Sequence, residues 1–183
     1  MQKELMRKNG KTVLITGATS GIGKITAVEL SGMGYHVVFI ARNETKSLEL
    51  VNEVKKIHPD AAIDFIIADM SSLKQVRLAA EKFTTNYQRL DVLINNAGGY
   101  FNPRSTTADG FEMTIGVNYL SHFLLTNLLI DYLKKSAPSR IVHVSSAAHM
   151  IGLINFDDLM SERNYGAMRV YAQSKLANLI FSN

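Results

Sequence analysis

Tyr171 and Lys175 stand four positions apart, so on a helix they share a face and their side chains can meet over one reacting group. A free phenol titrates at about 10, too high for a ready base at neutral pH. An ammonium close by favours the phenolate, so such a pair can accept a proton from an alcohol and return it to a carbonyl. Surface helices also carry Tyr and Lys at this spacing by chance, and the pair gains meaning only from its neighbours. The chain has no cysteine, which excludes a thiol nucleophile, a disulfide and a thiolate metal site. His122, His143 and His149 fall in no metal-ligand spacing on one element; they are read as structural, and no metal is expected.

A second constellation is the glycine-rich run Thr16-Gly17-Ala18-Thr19-Ser20-Gly21-Ile22-Gly23, which follows an apolar run of strand length and opens an amphipathic segment. Glycines let the backbone take positive φ and approach a bulky anion, while a helix N-terminus offers unpaired N–H groups and a favourable dipole. A pyrophosphate suits such a loop. A plain strand-to-helix turn would use the same glycines, and their spacing is not the common G-x-G-x-x-G fingerprint. Dinucleotide sites that choose NAD place a carboxylate about 20 residues further on, at the end of the second strand. Ala41 and Arg42 occupy that place here. An arginine fork can grip a 2′-phosphate that a carboxylate would repel, so NADP(H) is expected over NAD(H).

The elements that must position these groups follow from periodicity. Short β-branched runs near Thr12–Thr16, His36–Ile40, Ile63–Ala68, Val92–Asn95 and Arg140–Ser145 alternate with amphipathic segments near Ile22–Met33, Glu44–Ile57, Ser72–Tyr87 and Gly110–Lys135. A last helix begins around Tyr165–Tyr171. The alternation predicts an α/β fold, a doubly wound parallel sheet whose strands are covered by helices on both faces. At 183 residues without a linker or repeat, one domain over 1–183 is expected. Twenty Lys and Arg against 16 Asp and Glu leave a net charge of +4, scattered along the chain, which does not point to a nucleic-acid partner. Met1 to Lys11 is polar and charged, with no signal-like apolar core, and the most apolar stretch, Ile115 to Ile130, is interrupted by Asn118, Ser121, His122 and Asn127. A cytoplasmic protein without a membrane anchor, and a buried helix for that stretch, are expected.

The loop resembles the T-G-x-x-x-G-x-G motif of the short-chain dehydrogenase/reductase family, and further residues carry the same resemblance. Asp69, past the third strand, matches the aspartate that contacts adenine, and Asn95-Asn96-Ala97-Gly98 matches the N-N-A-G motif. A helix cap at Asp69 or a turn at the asparagines would be the plainer readings. The resemblance implies a Rossmann-type fold and cofactor contacts from Gly17, Ser20, Gly21, Ile22, Gly23, Arg42, Asp69, Met70, Asn95, Ala97, Gly98, Tyr171 and Lys175. Ser20 stands where relatives can carry a second basic residue, so the NADP(H) expectation rests mainly on Arg42.

The family's Y-x-x-x-K acts with a serine at the end of the fifth strand and an asparagine in the preceding helix. By that resemblance the catalytic set is Asn118, Ser146, Tyr171 and Lys175: Ser146 bonds the reacting oxygen, Lys175 also holds the nicotinamide ribose, and Asn118 supports a water-mediated proton path to Lys175. Ser145 competes for the serine's place. The 25 positions from Ser146 to Tyr171 are more than is usual in the family, and the apolar insert between them is similar to the retinol-dehydrogenase and WW-domain-oxidoreductase branch. That implies an apolar carbonyl or alcohol as substrate. Family members continue for two more strands and several helices, so the sheet is expected to lack its C-terminal strands here and the complete protein to form a homo-oligomer. Two function classes therefore stand side by side: an NADP(H)-dependent oxidoreductase, and a truncated nucleotide-binding or interaction module that does not turn over.

Overall fold

The computed structural model describes residues 10–183, so the reading of Met1 to Lys11 falls almost entirely outside the described residues. Five parallel strands, β1 (Thr12–Thr16), β2 (His36–Ala41), β3 (Ile63–Ile67), β4 (Val92–Asn95) and β5 (Arg140–His143), lie in the order β3-β2-β1-β4-β5. The chain order reverses between β1 and β4, and a crevice opens beyond the carboxyl ends of these strands, the usual ligand position in such a sheet.

Alternate residues of each strand feed two different cores. Leu14, Val38, Ile40, Ile66 and Leu93 pack against α3 (Leu73–Asn86) through Val76 and Phe83, and against α4 (Met113–Lys135) through Leu125, Leu129 and Leu133. Val13, Ile15, Val37, Phe39, Ile63 and Ile94 face the other way, onto Ala27 of α1 (Gly21–Gly32) and Leu50 and Val54 of α2 (Glu44–Ile57). The interior strands read as continuous apolar runs because both their faces are covered. β5 departs from the expectation. It lies at the sheet edge with Ile141 and Val142, which point to opposite faces, 37 % and 43 % exposed, so among the described residues neither face of this edge strand is covered as β1 and β2 are.

Local chemistry explains where the elements begin. Asn43 caps α2 by accepting from Lys46 N–H at 2.9 Å, and the Ser72 hydroxyl accepts from Gln75 N–H at the start of α3. The buried Asp91 carboxylate accepts from Thr12 N–H at 2.7 Å and from the Arg89 guanidinium, which pins the first turn of β4 beside β1. α4 starts at Met113 and not at Gly110. The fully buried Glu112 carboxylate takes the N–H groups of Thr114 and Ile115 at 2.9 and 2.8 Å, and Gly110 sits in a turn with φ of 86°.

Within α4, Gly116–Leu120 winds as a π-turn, which periodicity did not foresee. Gly116 belongs there because a Cβ would lie 2.4 Å from Thr107 Cγ2. By length and composition alone Met113–Lys135 could cross a membrane; half of it is buried against the sheet and α3, as expected of a core helix. Tyr171 and Lys175 lie on the last helix, α5 (Ala167–Phe181). Its end is held by aromatic packing of Phe181 on Phe123 and His143, each at 5.0 Å between centroids.

Candidate functional site

The turn after β1 is built for close approach. Gly17 and Gly21 have φ of 71° and 55°, a conformation that suits glycine. Gly17 also lies so close to the N-N-A-G turn that a Cβ would fall 2.8 Å from Ala97 Cα. Asn96 Nδ2 donates to Thr16 O at 2.8 Å and to Gly17 O at 3.1 Å, while the Thr16 hydroxyl accepts from Asn96 N–H and Ala97 N–H, each at 2.9 Å. These bonds join the loops after β1 and β4. Ser20 precedes α1 without capping it, so its hydroxyl and the first-turn N–H groups of α1 face the crevice.

The crevice has a volume of about 750 Å³. Its loop end is lined by Gly17, Ser20, Gly21, Ile22 and Gly23, its far wall by Arg42, Asp69 and Met70. Arg42 is exposed. Asp69 accepts from Ser71 N–H at 2.8 Å through Oδ1, and its own N–H donates to Gln75 Oε1. The plainer reading of Asp69 as a helix cap is not met, since Ser72 caps α3; Asp69 instead closes a turn onto Ser71 N–H and takes a place on the crevice wall. The glycines, the uncapped helix end and the cation at the far wall fit a phosphorylated dinucleotide.

Ala97, Gly98, Ser145, Tyr171 and Lys175 line the opposite end. The Tyr171 ring packs edge-on against Tyr100 at 5.9 Å, and Lys175 Nζ lies 5.6 Å from its centroid. Lys175 Nζ donates to Val144 O at 3.0 Å. Burial holds the Lys175 ammonium below the ordinary lysine range.

Three expected residues stand elsewhere. Asn95 is 1 % exposed and points away from the crevice, its Nδ2 donating to Thr126 Oγ1 at 2.9 Å and lying 3.3 Å from His143 Nδ1. The contact side chain of that motif is Asn96, because consecutive residues at a strand end face opposite sides of the sheet. Asn118 lies at the π-turn behind the crevice: Oδ1 accepts from Gly99 N–H at 2.8 Å, and Nδ2 donates to Gly99 O and Ser174 Oγ, each at 3.0 Å. Ser146 begins the short helical turn Ala147–Ile151, its Oγ accepting from Ala148 N–H at 3.2 Å. Ser145 reaches the crevice wall, but its hydroxyl proton goes to Lys175 O at 2.9 Å. Ser146 keeps its proton for another acceptor, whereas Ser145 has spent its own on the backbone.

Sequence reasoning passed over Thr16, Asn96 and Tyr100. Their signal was adjacency to the motifs: the threonine that opens the glycine loop, the second asparagine of the pair, and an aromatic two residues past Gly98. The histidines have local partners. His149 Nδ1 is 2.7 Å from Ser146 O, and the buried His122 lies between Thr16 and Asn118.

A family model described as short chain dehydrogenase matches residues 11–181. The chain belongs to the short-chain dehydrogenase family. Among curated relatives it is 46 % identical to retinol dehydrogenase 14 of Mus musculus, over 95 % of this chain and 55 % of the relative. It is 47 % identical to retinol dehydrogenase 13 of Homo sapiens, over 94 % of this chain and 53 % of the relative. The chain thus spans about half the length of the curated relatives it matches. An uncharacterized protein from Mycobacterium paratuberculosis superposes with a TM-score of 0.79 at 39 % identity, covering 94 % of this chain and 60 % of that one. The Pseudomonas aeruginosa RhlG/NADP active-site complex superposes with a TM-score of 0.75 at 26 % identity, covering 94 % and 64 %. The Rossmann-type arrangement and the resemblance to the retinol-dehydrogenase branch are thereby shown.

Proposed function

We propose that this chain carries the dinucleotide site and acid–base pair of an NADP(H)-dependent oxidoreductase that interconverts a carbonyl and an alcohol on an apolar substrate. The observation that carries it is the opening of Tyr171 and Lys175 onto the same crevice as the glycine loop and Arg42. The relatives named retinol dehydrogenases and the neighbour named an NADP complex support the reading.

In this arrangement the α1 N-terminus and Arg42 would hold the phosphates of a dinucleotide, whose nicotinamide would supply or accept the hydride. Tyr171 Oη gives its proton to the carbonyl oxygen in reduction and takes it from the alcohol in oxidation. Lys175, fixed by Val144 O, keeps positive charge beside the phenol. A serine of the Ser145–Ser146 pair bonds the reacting oxygen: Ser145 stands on the crevice wall with its proton given to Lys175 O, and Ser146, next to it, has the uncommitted proton. Asn118 shapes the wall by holding both backbone groups of Gly99. Met150, Ile151, Leu153 and Phe156, on the insert before α5, are 70–82 % exposed and suit an apolar substrate.

Arg42→Asp should weaken NADPH by about 10- to 100-fold, the worth of one charge-assisted contact, and move preference toward NADH. Ala41→Asp, made separately, should act in the same direction. Fluorescence titration with both cofactors reads the ratio; an unaltered ratio in the Arg42 variant would place the 2′-phosphate elsewhere. The activity itself is tested with the protein of the full reading frame, NADPH and a panel of apolar aldehydes and ketones. Tight NADPH binding without turnover of any of them would favour a non-catalytic nucleotide-binding module.

A further inference from the structure

We propose that His122 is a positioning residue for this reaction, a rigid strut between the phosphate-loop turn at Thr16 and the π-turn that presents Asn118. The inference rests on the oxidoreductase reading above. His122 is 1 % exposed and does not line the crevice, so it acts on the reaction through its two hydrogen-bond partners and, through space, on the Lys175 and His143 charges that face it.

Those partners determine the state of the ring. Nδ1 lies 3.0 Å from Asn118 O, and a carbonyl can only accept, so Nδ1 carries the proton. Nε2 lies 2.9 Å from Thr16 Oγ1, whose two lone pairs are already taken by Asn96 N–H and Ala97 N–H. The hydroxyl therefore has only its proton to offer, and Nε2 accepts it. Both ends select the neutral Nδ1–H form. Burial acts in the same sense, pushing the imidazole down to about 3.

The strut joins parts that lie 106 residues apart in sequence. At one end Thr16 aligns the turn on which Gly17 and Ala97 meet. At the other, Asn118 O also accepts from Asn178 Nδ2 at 3.0 Å, three residues beyond Lys175, while the Asn118 amide holds Gly99 and Ser174. A side-chain ring of fixed length thus sets the distance between the dinucleotide loop and the helix carrying Tyr171. Misplacement of ~1 Å between reacting groups can cost on the order of 100-fold in rate.

Two substitutions separate the ends. His122→Gln can place an amide near the position of Nε2 and keep Thr16 satisfied, but it leaves Asn118 O without that donor. His122→Asn can donate to the carbonyl four residues back, as Asn127 does to Phe123 O at 2.7 Å, but cannot reach Thr16. In the protein of the full reading frame, assayed with NADPH and decanal, the larger loss should fall on kcat for His122→Gln, at least tenfold. For His122→Asn it should fall on NADPH Kd and KM, again at least tenfold. His122→Phe should lose in both. Long-range ¹H–¹⁵N spectra of the wild type should show a neutral Nδ1–H imidazole that does not titrate between about pH 5 and 8. Opposite splits with that ring state support the strut. Parallel losses in every variant, no losses, or an Nε2–H or charged ring would overturn it. Absence of wild-type turnover would count against the proposed reaction, and the ring state and NADPH Kd would still decide the strut.

Discussion

Tyr171→Phe should lower kcat for carbonyl reduction by about 10³-fold, within the 10²- to 10⁴-fold range of a positioned acid, while NADPH Kd changes by less than about threefold. The structure makes this a clean subtraction. The ring is held by its edge contact with Tyr100 and by Lys175 above it, and phenylalanine keeps both. The Tyr171 hydroxyl makes no hydrogen bond among the described residues, so its removal leaves no buried partner unsatisfied and the melting temperature should be unchanged. What is lost is the proton at the carbonyl oxygen. Single-turnover rates and NADPH titration on the same preparations measure the two quantities; turnover within tenfold of wild type would remove Tyr171 from the acid–base role.

Gly23→Ala should raise NADPH Kd by about 100-fold, with kcat lost only as far as binding fails. A Cβ at this position would lie 2.4 Å from both Asn96 Nδ2 and Gly17 O, and the second of these is backbone that cannot swing aside. Relief requires the loops after β1 and β4 to separate, breaking the bonds from Asn96 to Thr16 O and Gly17 O. Losing two such bonds and reshaping the loop costs about 3 kcal/mol, which is roughly 100-fold in Kd. Gly110→Ala is the matched control. Gly110 has a positive φ, 86°, which the helical Gly23 does not, but a Cβ there meets nothing within 4 Å, and the turn lies outside the crevice wall. It should cost about 1–2 kcal/mol of backbone strain and leave NADPH Kd unchanged. Isothermal titration of both variants settles the pair, and a Gly23→Ala protein that binds NADPH normally would show that the two loops are not coupled.

Much of this architecture was legible along the chain because local burial leaves a period. The largely apolar, fully buried runs of β1 and β2 and the amphipathic spacing of α2 and α3 correspond closely to the observed elements, since each is buried by its nearest neighbours in the fold. The glycine loop, Arg42 after β2 and the Tyr171–Lys175 pair were also readable, because each is defined by a few consecutive residues or one helical turn. Only the tertiary structure decided the rest. Asn95 and Asn96 are chemically identical, and the residue at which β4 stops determines which of them faces the phosphate loop. Likewise Ser145 and Ser146 differ in where their protons are already committed, which depends on the Lys175 carbonyl 30 residues away. The start of α4 was set by a buried carboxylate at Glu112, and the glycine at its π-turn by the close approach of Thr107, which leaves no room for a Cβ. The partners of His122 come from β1 and from its own helix, and no period in the sequence records a hydrogen bond between side chains that meet only after the sheet has formed.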